Sequence, residues 1–447
     1  MNNRNIKYLF LGLVLVAPIV CANTLRVQSH TNAPILNLDE FADEASSGSS
    51  RSFDELKSEI NQLFFSVPTI LRLVAINGSL DAQVDQAKAA KDWQIELSVD
   101  GGGRTGSVGA DGDRNTQSIT ATKIAHDFGA TDSAIDQVKF ANDSSAAEID
   151  SLRSEALLSM VISKIEVATQ SRLVKLASSF YDGRARFQKF LEEKKAFGAA
   201  SSADVVRASA KTYEAEAAVP TAFMGLQDAL DRYQELYGSQ PSSEDWYDTP
   251  AFSLDKKVID RVEDHPLVRQ AENDLASVIA ELDAFRAGDY GTVLFQVSAS
   301  RVGGKGSGGT GDSFDAKIVY QQSLADGGSR DASEAILKAK VAEYEAEFER
   351  SKRERVRVVR SAWNAFLASE GTLRSQEKVM TASRKANEAT TELYLNNRGS
   401  IADVFKAEED YVSAIRTYID AKRSVQTNFY QLLHEAGVLM TQFELGI

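Results

Sequence analysis

The chain has 447 residues, of which 43% are hydrophobic and 26% are charged. This composition is typical of a folded protein with a sizeable core, and it excludes an intrinsically disordered chain. The formal net charge of -14 at pH 7 argues against nucleic acid as a partner, because a nucleic-acid-binding surface needs an excess of basic side chains.

The N-terminus has the order of features found in a secretory signal peptide. Arg4 and Lys7 precede an apolar run from Leu9 to Val20, which small residues follow. We predict a signal peptide over residues 1–22 and an N-terminal extension over residues 23–52. Removal of the signal peptide leaves a mature chain with 48 basic and 64 acidic side chains, so the mature chain is more acidic than the full sequence.

Two consequences follow from cleavage after Ala22. The mature chain contains no cysteine, because the single Cys21 is removed, so no disulfide is possible. Lipidation of Cys21 is the alternative, but a lipoprotein signal needs a small residue before the cysteine, where this chain has Val20. No later segment approaches the length of apolar sequence that a membrane-spanning helix needs, so any contact of the mature chain with a bilayer must use strands.

The chain repeats itself at a spacing of about 200 residues. Pro68 and Pro266 each open an amphipathic helix that runs into a strand, at an offset of 198 residues. The strands that begin at Trp93 and Val293 are 200 residues apart, and two later landmarks keep an offset of 199. A constant spacing indicates a tandem duplication. The predicted division is a first repeat over 53–240, a linker over 241–258, a second repeat over 259–440 and a tail over 441–447.

Each repeat contains two segments in which polar and apolar residues alternate, as in a strand. The four predicted strands lie at about 93–100, 118–128, 292–301 and 313–324. The apolar face of the first and third strands comprises Trp93, Ile95, Leu97, Val99, Val293, Phe295 and Val297. The opposite, polar face of the first strand comprises Gln94, Glu96, Ser98 and Asp100.

Two interpretations of this alternation are open. In a membrane the strands must belong to a closed barrel, with the apolar face against lipid and the polar face towards an aqueous lumen. Four strands are too few to enclose water, but three chains with four strands each suffice. In a soluble antiparallel sheet the same alternation arises because the apolar face packs on helices.

A long helical segment follows each strand pair. Residues 130–196 contain no proline and one glycine, and residues 329–398 have the same property. The predicted helical hairpins span about 130–237 and 329–437, and their apolar residues recur in alternating steps of three and four, as in a coiled coil. The predicted fold class is therefore mainly α with β, in an elongated molecule.

No pattern of residues for chemistry emerges from the sequence. The four histidines are scattered, and the glycine-rich loops between the strands lack the Gly-Lys-Ser/Thr ending of a phosphate-binding loop. We therefore predict that the chain is not an enzyme and needs neither a cofactor nor a metal.

The order of these elements resembles the TolC-type family of outer-membrane efflux and secretion proteins. The resemblance rests on the duplication, on Asp-x-Gly turns at Asp127 and Asp326, and on helix-tip sequences that end in Asp-Val at Asp204 and Asp403. It covers nearly the whole mature chain. It implies a trimer whose twelve strands form an outer-membrane β-barrel that continues into a long α-helical coiled-coil barrel across the periplasm.

The resemblance also implies a role and partners. Members of the family form the exit duct of a tripartite system and receive substrate from an inner-membrane ABC transporter or proton-driven pump through a periplasmic adaptor, or membrane fusion, protein. Type I protein secretion is favoured over drug efflux by the non-lipidated N-terminus and the acidic character. The alternative is a periplasmic coiled-coil adaptor or stalk protein without a barrel, which would explain the helices but not the strands.

By position, the resemblance implies a gate at the periplasmic helix tips. The second tip, "YLNNRGSIADVFK", places Tyr394 and Asp403 on the tyrosine and the first acidic residue of the family. Lys406 stands at the second acidic position, which puts the cation affinity of the mouth in doubt. Arg398 is expected to pair with a carboxylate of a neighbouring hairpin.

Two further expectations concern the turns at the tips. Asn397 stands where the family has its tip glycine, with Gly399 two residues later, so we expect a displaced turn. In the first tip the gate candidate is Asp204, for which the alternative role is that of a carboxylate favoured by the dipole at a helix start.

Overall fold

The computed structural model describes residues 50–104, 112–249, 262–304 and 311–445. The predicted signal peptide, Cys21 and nearly all of the N-terminal extension lie outside these ranges. The same holds for the second half of the predicted linker and for the last two residues of the tail.

The predicted class, mainly α with β, is confirmed, and the order of one helix, two strands and two helices occurs twice. The first repeat consists of α1 (Phe53–Phe64), α2 (Pro68–Lys88), β1 (Gln94–Arg104), β2 (Gly112–His126), α3 (Ala130–Ala196) and α4 (Ser202–Tyr237). The second repeat consists of α5 (Pro266–Ala287), β3 (Thr292–Gly304), β4 (Gly311–Gln321), α6 (Ser329–Leu395), α7 (Ile401–Glu435) and the short α8 (Leu439–Gln442).

The long helices α3 and α6 each contain 67 residues and begin at the Asp-x-Gly turns. Gly129 and Gly328 adopt positive φ angles of 93° and 87°, a region that glycine enters without steric cost. The Asp127 carboxylate accepts hydrogen bonds from the backbone N–H of Gly129 and Thr131, at 3.2 and 2.7 Å. This contact satisfies backbone donors that the helix start leaves free. At about 1.5 Å per residue each helix is roughly 100 Å long.

The four strands form one antiparallel sheet in the order β1-β2-β3-β4. The pairing of β2 with β3 joins the two repeats, and β1 and β4 are the edges of the described sheet. The strands extend further into the glycine-rich loops than the sequence predicts. Gly101 pairs with Asn115 and Gly103 with Asp113, since the antiparallel ladder continues where side-chain alternation has ended.

The helices pack along one another around several apolar clusters. Helix α3 contacts α4, α5 and α7, while α6 contacts α5 and α7. The largest cluster joins α1, α2 and α8 to the middle of α3 and to the ends of α4 and α7. Within the described ranges, no single helix is long and apolar enough to span a membrane. By length and composition only, the bent pair Phe53–Phe64 and Pro68–Lys91, which meet at 60°, passes that test together.

Candidate functional site

The register of the sheet places the apolar residues of all four strands on one face. Leu97 pairs with Ile119, which pairs with Ala299, which in turn pairs with Phe314. The next rung consists of Ile95, Ala121, Val297 and Ala316, and on the same face Phe295 pairs with Ile318 and Val293 with Tyr320. The Trp93 ring meets the Phe295 ring edge-on at 5.6 Å, so Trp93 shares this face. We call this surface the apolar face.

The apolar face is not covered within the described chain. Ile95, Leu97 and Val99 are 72%, 68% and 62% exposed, and Phe314 and Ile318 are each 72% exposed. Burying side chains of this size contributes roughly 1.5 to 3 kcal/mol each, so a water-exposed face of this kind is unfavourable. A soluble sheet that packs on its own helices would bury these residues. Their exposure disfavours that interpretation.

The opposite face is mainly polar, apart from an apolar rung of Ile124, Leu294 and Val319 at the end of the sheet nearest the long helices. Gln94, Glu96, Ser98 and Asp100 lie on it, together with Thr116, Ser118, Thr120, Thr122, Gln296, Ser298, Ser300, Ser313, Asp315 and Lys317. Its middle rung contains four serines: the Ser98 and Ser118 hydroxyls lie 2.7 Å apart, and those of Ser300 and Ser313 lie 2.8 Å apart. The two faces therefore differ in chemistry in all four strands.

The two helix tips have the same backbone turn. In the first tip the N–H of Gly198 donates to the Lys195 carbonyl at 2.9 Å, and in the second the N–H of Asn397 donates to the Tyr394 carbonyl at 3.0 Å. Gly198 has φ 74° and Asn397 has φ 57°. Asparagine is the residue that most often replaces glycine in this left-handed position. The expected displacement of the second turn is therefore wrong.

Both aspartate gate candidates bond to the N-cap serine of the helix that follows their tip. The Ser201 hydroxyl donates to the Asp204 carboxylate at 2.7 Å and accepts from the Asp204 backbone N–H at 3.1 Å. Ser400 and Asp403 repeat this contact at 2.7 and 3.2 Å. The helix-start role considered for Asp204 is thus present at both tips. The Asp403 side chain remains exposed while it accepts the hydrogen bond from Ser400.

The remaining gate candidates lie around the second tip in different environments. The Lys406 ammonium donates to Asp410 at 2.7 Å along the exposed face of α7, and this hydrogen bond raises the pKa of Lys406. Arg398 is exposed at the turn. Tyr394 packs inward: its ring lies 6.1 Å from that of Phe187, and burial raises its pKa.

A buried charge cluster lies behind the tips, and sequence reasoning missed it. The side chain of Arg184 on α3 is 1% exposed, and its Nε lies 3.2 Å from Oε2 of Glu408 on α7. Its Nη2 donates to the Phe405 carbonyl at 3.3 Å, and the guanidinium lies over the rings of Phe180 and Phe405 at 4.8 and 4.5 Å. Arg184 therefore joins the first hairpin to the second within one chain.

The cluster extends to a third helix. Lys211 on α4 lies 3.1 Å from Glu409 and 2.7 Å from Glu214, and Glu409 in turn lies 3.8 Å from Arg184. Burial raises the pKa of the Glu408 carboxyl to about 7, although Arg184 opposes this shift. We call Arg184, Glu408, Glu409 and Lys211 the inter-hairpin cluster.

A signal for this cluster exists in the sequence. On α3 the apolar stripe passes through Phe180, Phe187 and Leu191, and Arg184 occupies the position between Phe180 and Phe187. On α7 Glu408 occupies the corresponding place in the stripe between Phe405 and Tyr411. A charged residue in the core-facing stripe of each of two long helices predicts a buried pair.

Across the described ranges, no group of three or more His, Cys, Asp or Glu side chains is arranged to hold a metal ion. The surfaces described above are one apolar and one mainly polar sheet face, and a long helical bundle whose tips carry exposed charges.

Comparison with known proteins supports this description. Residues 261–438 match the family model described as outer membrane efflux protein. The Nodulation protein T of Rhizobium leguminosarum bv. trifolii is 22% identical over 295 residues, a match that covers 63% of this chain. The chain spans 63% of the length of that relative.

Solved structures extend the similarity to most of the chain. The outer membrane protein VceC of Vibrio cholerae has a TM-score of 0.72 at 16% identity and covers 85% of this chain and 96% of its own. The CmeC outer membrane channel of Campylobacter jejuni has a TM-score of 0.74 at 12% identity, with 93% and 90% covered. The open state of the MtrE outer membrane channel of Neisseria gonorrhoeae has a TM-score of 0.69 at 16% identity, with 92% and 94% covered.

The resemblance inferred from the sequence is therefore confirmed. The family and these three neighbours are outer-membrane proteins, in agreement with the expected localisation in the outer membrane with a helical tunnel in the periplasm. Residues 261–438 match the model of the outer membrane efflux protein family, and the described chain has the fold of these outer-membrane channels.

Proposed function

We propose that three copies of this chain assemble into a channel whose twelve strands close a barrel in the outer membrane. The observation that carries this proposal is the uncovered apolar face, which lies in register over four strands and is opposed by a polar face. In lipid, backbone groups at a sheet edge have no water to bind. The edges β1 and β4 therefore have to pair with neighbouring copies.

Exposed apolar residues on α4 and α6 support the same assembly. On α4 the exposed residues Val206 and Tyr213 are seven positions apart, and on α6 the exposed residues Val379 and Leu393 are fourteen apart. These are the spacings of one and two coiled-coil heptads. Helix α4 of one copy packing on α6 of the next would bury both stripes and close the helical tunnel.

In the cell, such a channel serves as the exit duct of a tripartite system. The duct receives substrate from an inner-membrane pump, either an ABC transporter or a proton-driven pump, through a periplasmic adaptor protein. We favour type I protein secretion over drug efflux, because the predicted signal lacks a lipoprotein cysteine context and the mature chain is acidic.

The gate of this duct is proposed to lie at the helix tips. Arg398, Asp403 and Lys406 are exposed at or next to the second turn, with Tyr394 packed behind them, and Asp204 occupies the matching place at the first tip. The inter-hairpin cluster ties the two hairpins of one chain together. Opening therefore separates hairpins of different chains rather than the two hairpins of one chain.

An adaptor or stalk protein without a barrel is the competing function. Such a protein has no lipid to cover the apolar face, and its sheet would pack that face against its own helices. The exposed side chains of β1 and β4 favour the channel.

Sizing of the purified protein tests the proposal. We expect it to leave the membrane fraction only with detergent, to run as a trimer, and to produce discrete conductance steps in planar bilayers. A monomer that is soluble without detergent would overturn the channel and support the adaptor.

A further inference from the structure

A basic residue, Lys123, lies among the apolar side chains of the apolar face at the end of the sheet nearest the long helices. Lys123 pairs with Phe295 in the ladder between β2 and β3, and it lies two positions from Ala121 of the apolar rung. Arg301, another basic residue described on this face, forms an ion pair with Asp312 at 2.8 Å. Lys123 forms no ion pair with any described residue. A charge on a lipid-facing surface is unfavourable unless it reaches a polar partner.

The position of Lys123 along the strands is that of a membrane interface. Two pairs of partly exposed aromatic rings lie at the same end of the sheet. Trp93 contacts Phe295, the residue paired with Lys123, and Phe128 lies 5.5 Å from Tyr290. Aromatic residues gather where a barrel meets the headgroups. These rings are at the end of the sheet that joins the long helices, which is the periplasmic end in the proposed channel.

A β-bulge in β2 places a histidine ring at the same end of the apolar face. The register of β2 against β3 shifts between Ile124 and His126, so His126 pairs with Val293 on the apolar face. Without the extra residue, alternation would turn His126 to the polar face. Its ring lies 4.6 Å from that of Phe128. The bulge thus brings a histidine to the same interface as Lys123.

We propose that Lys123 and His126, flanked by Trp93 and Phe128, bind the headgroup phosphate of an anionic phospholipid in the periplasmic leaflet. A long lysine stem reaches along apolar surface while its ammonium stays at the polar boundary. The ammonium and the imidazole then donate to phosphate oxygens, and the aromatic rings contact the glycerol region. This inference rests on the proposed function, because it requires the apolar face to meet lipid.

Quenching of Trp93 fluorescence by brominated phospholipids tests the site. The protein is reconstituted with brominated phosphatidylglycerol or brominated phosphatidylcholine, and the relative affinity is read from the two quenching curves. The other tryptophans give a constant background, since Trp246 and Trp363 pack within the helical part of the molecule. We expect wild type to prefer phosphatidylglycerol, and Lys123→Gln to reduce that preference about fivefold, the effect of one basic residue near a charged leaflet.

Two variants complete the test. Lys317→Gln removes a lysine from the polar face of β4 and should leave the preference unchanged, while Lys123→Arg should retain it. An unchanged preference in a correctly assembled Lys123→Gln trimer would overturn the phospholipid site, as would a preference lost in Lys317→Gln alone. Absence of quenching by either lipid would instead contradict the proposed membrane face.

Discussion

Arg184 and Glu408 form an ion pair that water does not reach. Two charges removed from water are costly, and their attraction compensates only while both are present. The stripes of α3 and α7 predict where the helices face each other, because apolar residues mark the core side. Arg184 and Glu408 interrupt these stripes and so indicate a buried charge on each helix, but neither stripe shows which residue of the other helix the charge meets. Sequence reasoning therefore placed the gate at the exposed turn and missed the contact behind it.

Removing one partner of this pair should be much worse than removing both. At pH 8, where Glu408 is ionised, we expect Arg184→Met to lower the free energy of unfolding by about 3 to 5 kcal/mol, because Glu408 is then buried without its counter-charge. The double variant Arg184→Met/Glu408→Leu should recover most of this loss. Thermal or denaturant unfolding of the purified protein measures both. A double variant no more stable than the single one would contradict a buried pair.

The raised pKa of Glu408 makes the tip region sensitive to pH. Because the folded-state pKa is about 7 and the ordinary value is 4.5, the folded protein holds a proton on Glu408 that the unfolded chain has released. The contribution of this group to stability therefore falls as pH rises from about 4.5 to 7 and is constant above.

Glu408→Gln isolates this effect, since glutamine has the shape of the protonated acid and does not titrate. Arg184 keeps Glu409 at 3.8 Å as a counter-charge in this variant, so loss of the Glu408 charge does not leave Arg184 unpaired. We therefore expect the variant to match wild type near pH 4.5 and to be the more stable of the two near pH 8. Melting temperatures over this pH range provide the measurement. A difference between the two proteins that does not change with pH would show that Glu408 has an ordinary pKa.

At the scale of elements, the strands show what alternation can and cannot predict. It identified the apolar and polar faces of β1 and β3 correctly as separate surfaces, since side chains of a strand alternate by geometry. It made the strands too short at the loops, because glycines have no side chain to alternate while their backbone still pairs. At the other end it carried β2 to about 128 and β4 to about 324, whereas they end at His126 and Gln321. At the tips, the missing glycine suggested a displaced turn, but the backbone tolerates Asn397 in the same left-handed conformation.

The faces of β1 predict opposite responses to the same substitution. An arginine at Leu97 would enter lipid near the middle of the apolar face, at a cost of roughly 2 to 4 kcal/mol. An arginine at Ser98 would project from the polar face and be tolerated. The yield of assembled trimer in outer membranes compares Leu97→Arg with Ser98→Arg. Equal yields would mean that the assignment of the faces is wrong.

At the scale of the whole molecule, the constant offset between the repeats predicted most of the fold. Two similar units with long helices can pack against each other in few ways. The helices α3 and α6 have the same length of 67 residues. The sequence did not predict how the hairpins of one chain hold together. That depends on side chains that meet between segments about 220 residues apart, as Arg184 and the Phe405 carbonyl do.

The proposed gate makes a prediction for conductance. Asp403→Ala should lower cation selectivity, since it removes three like charges from a narrow mouth of the assembled channel. Lys406→Asp should raise selectivity for cations, and Arg398→Ser should increase the open fraction by weakening contacts between chains. Single-channel recordings compare each variant with wild type. If all three variants conduct as wild type does, the constriction lies elsewhere in the tunnel.

The most direct test of the whole account is the reactivity of single cysteines in outer membranes. The predicted signal removes the only natural cysteine, so Leu97→Cys and Ser98→Cys each place one thiol on a known face of the same strand. A water-soluble maleimide should label the cysteine at position 98, which faces the lumen, and leave the cysteine at position 97 unlabelled in lipid. Equal labelling of the two positions, or labelling of position 97 alone, would contradict a barrel with its apolar face in the membrane.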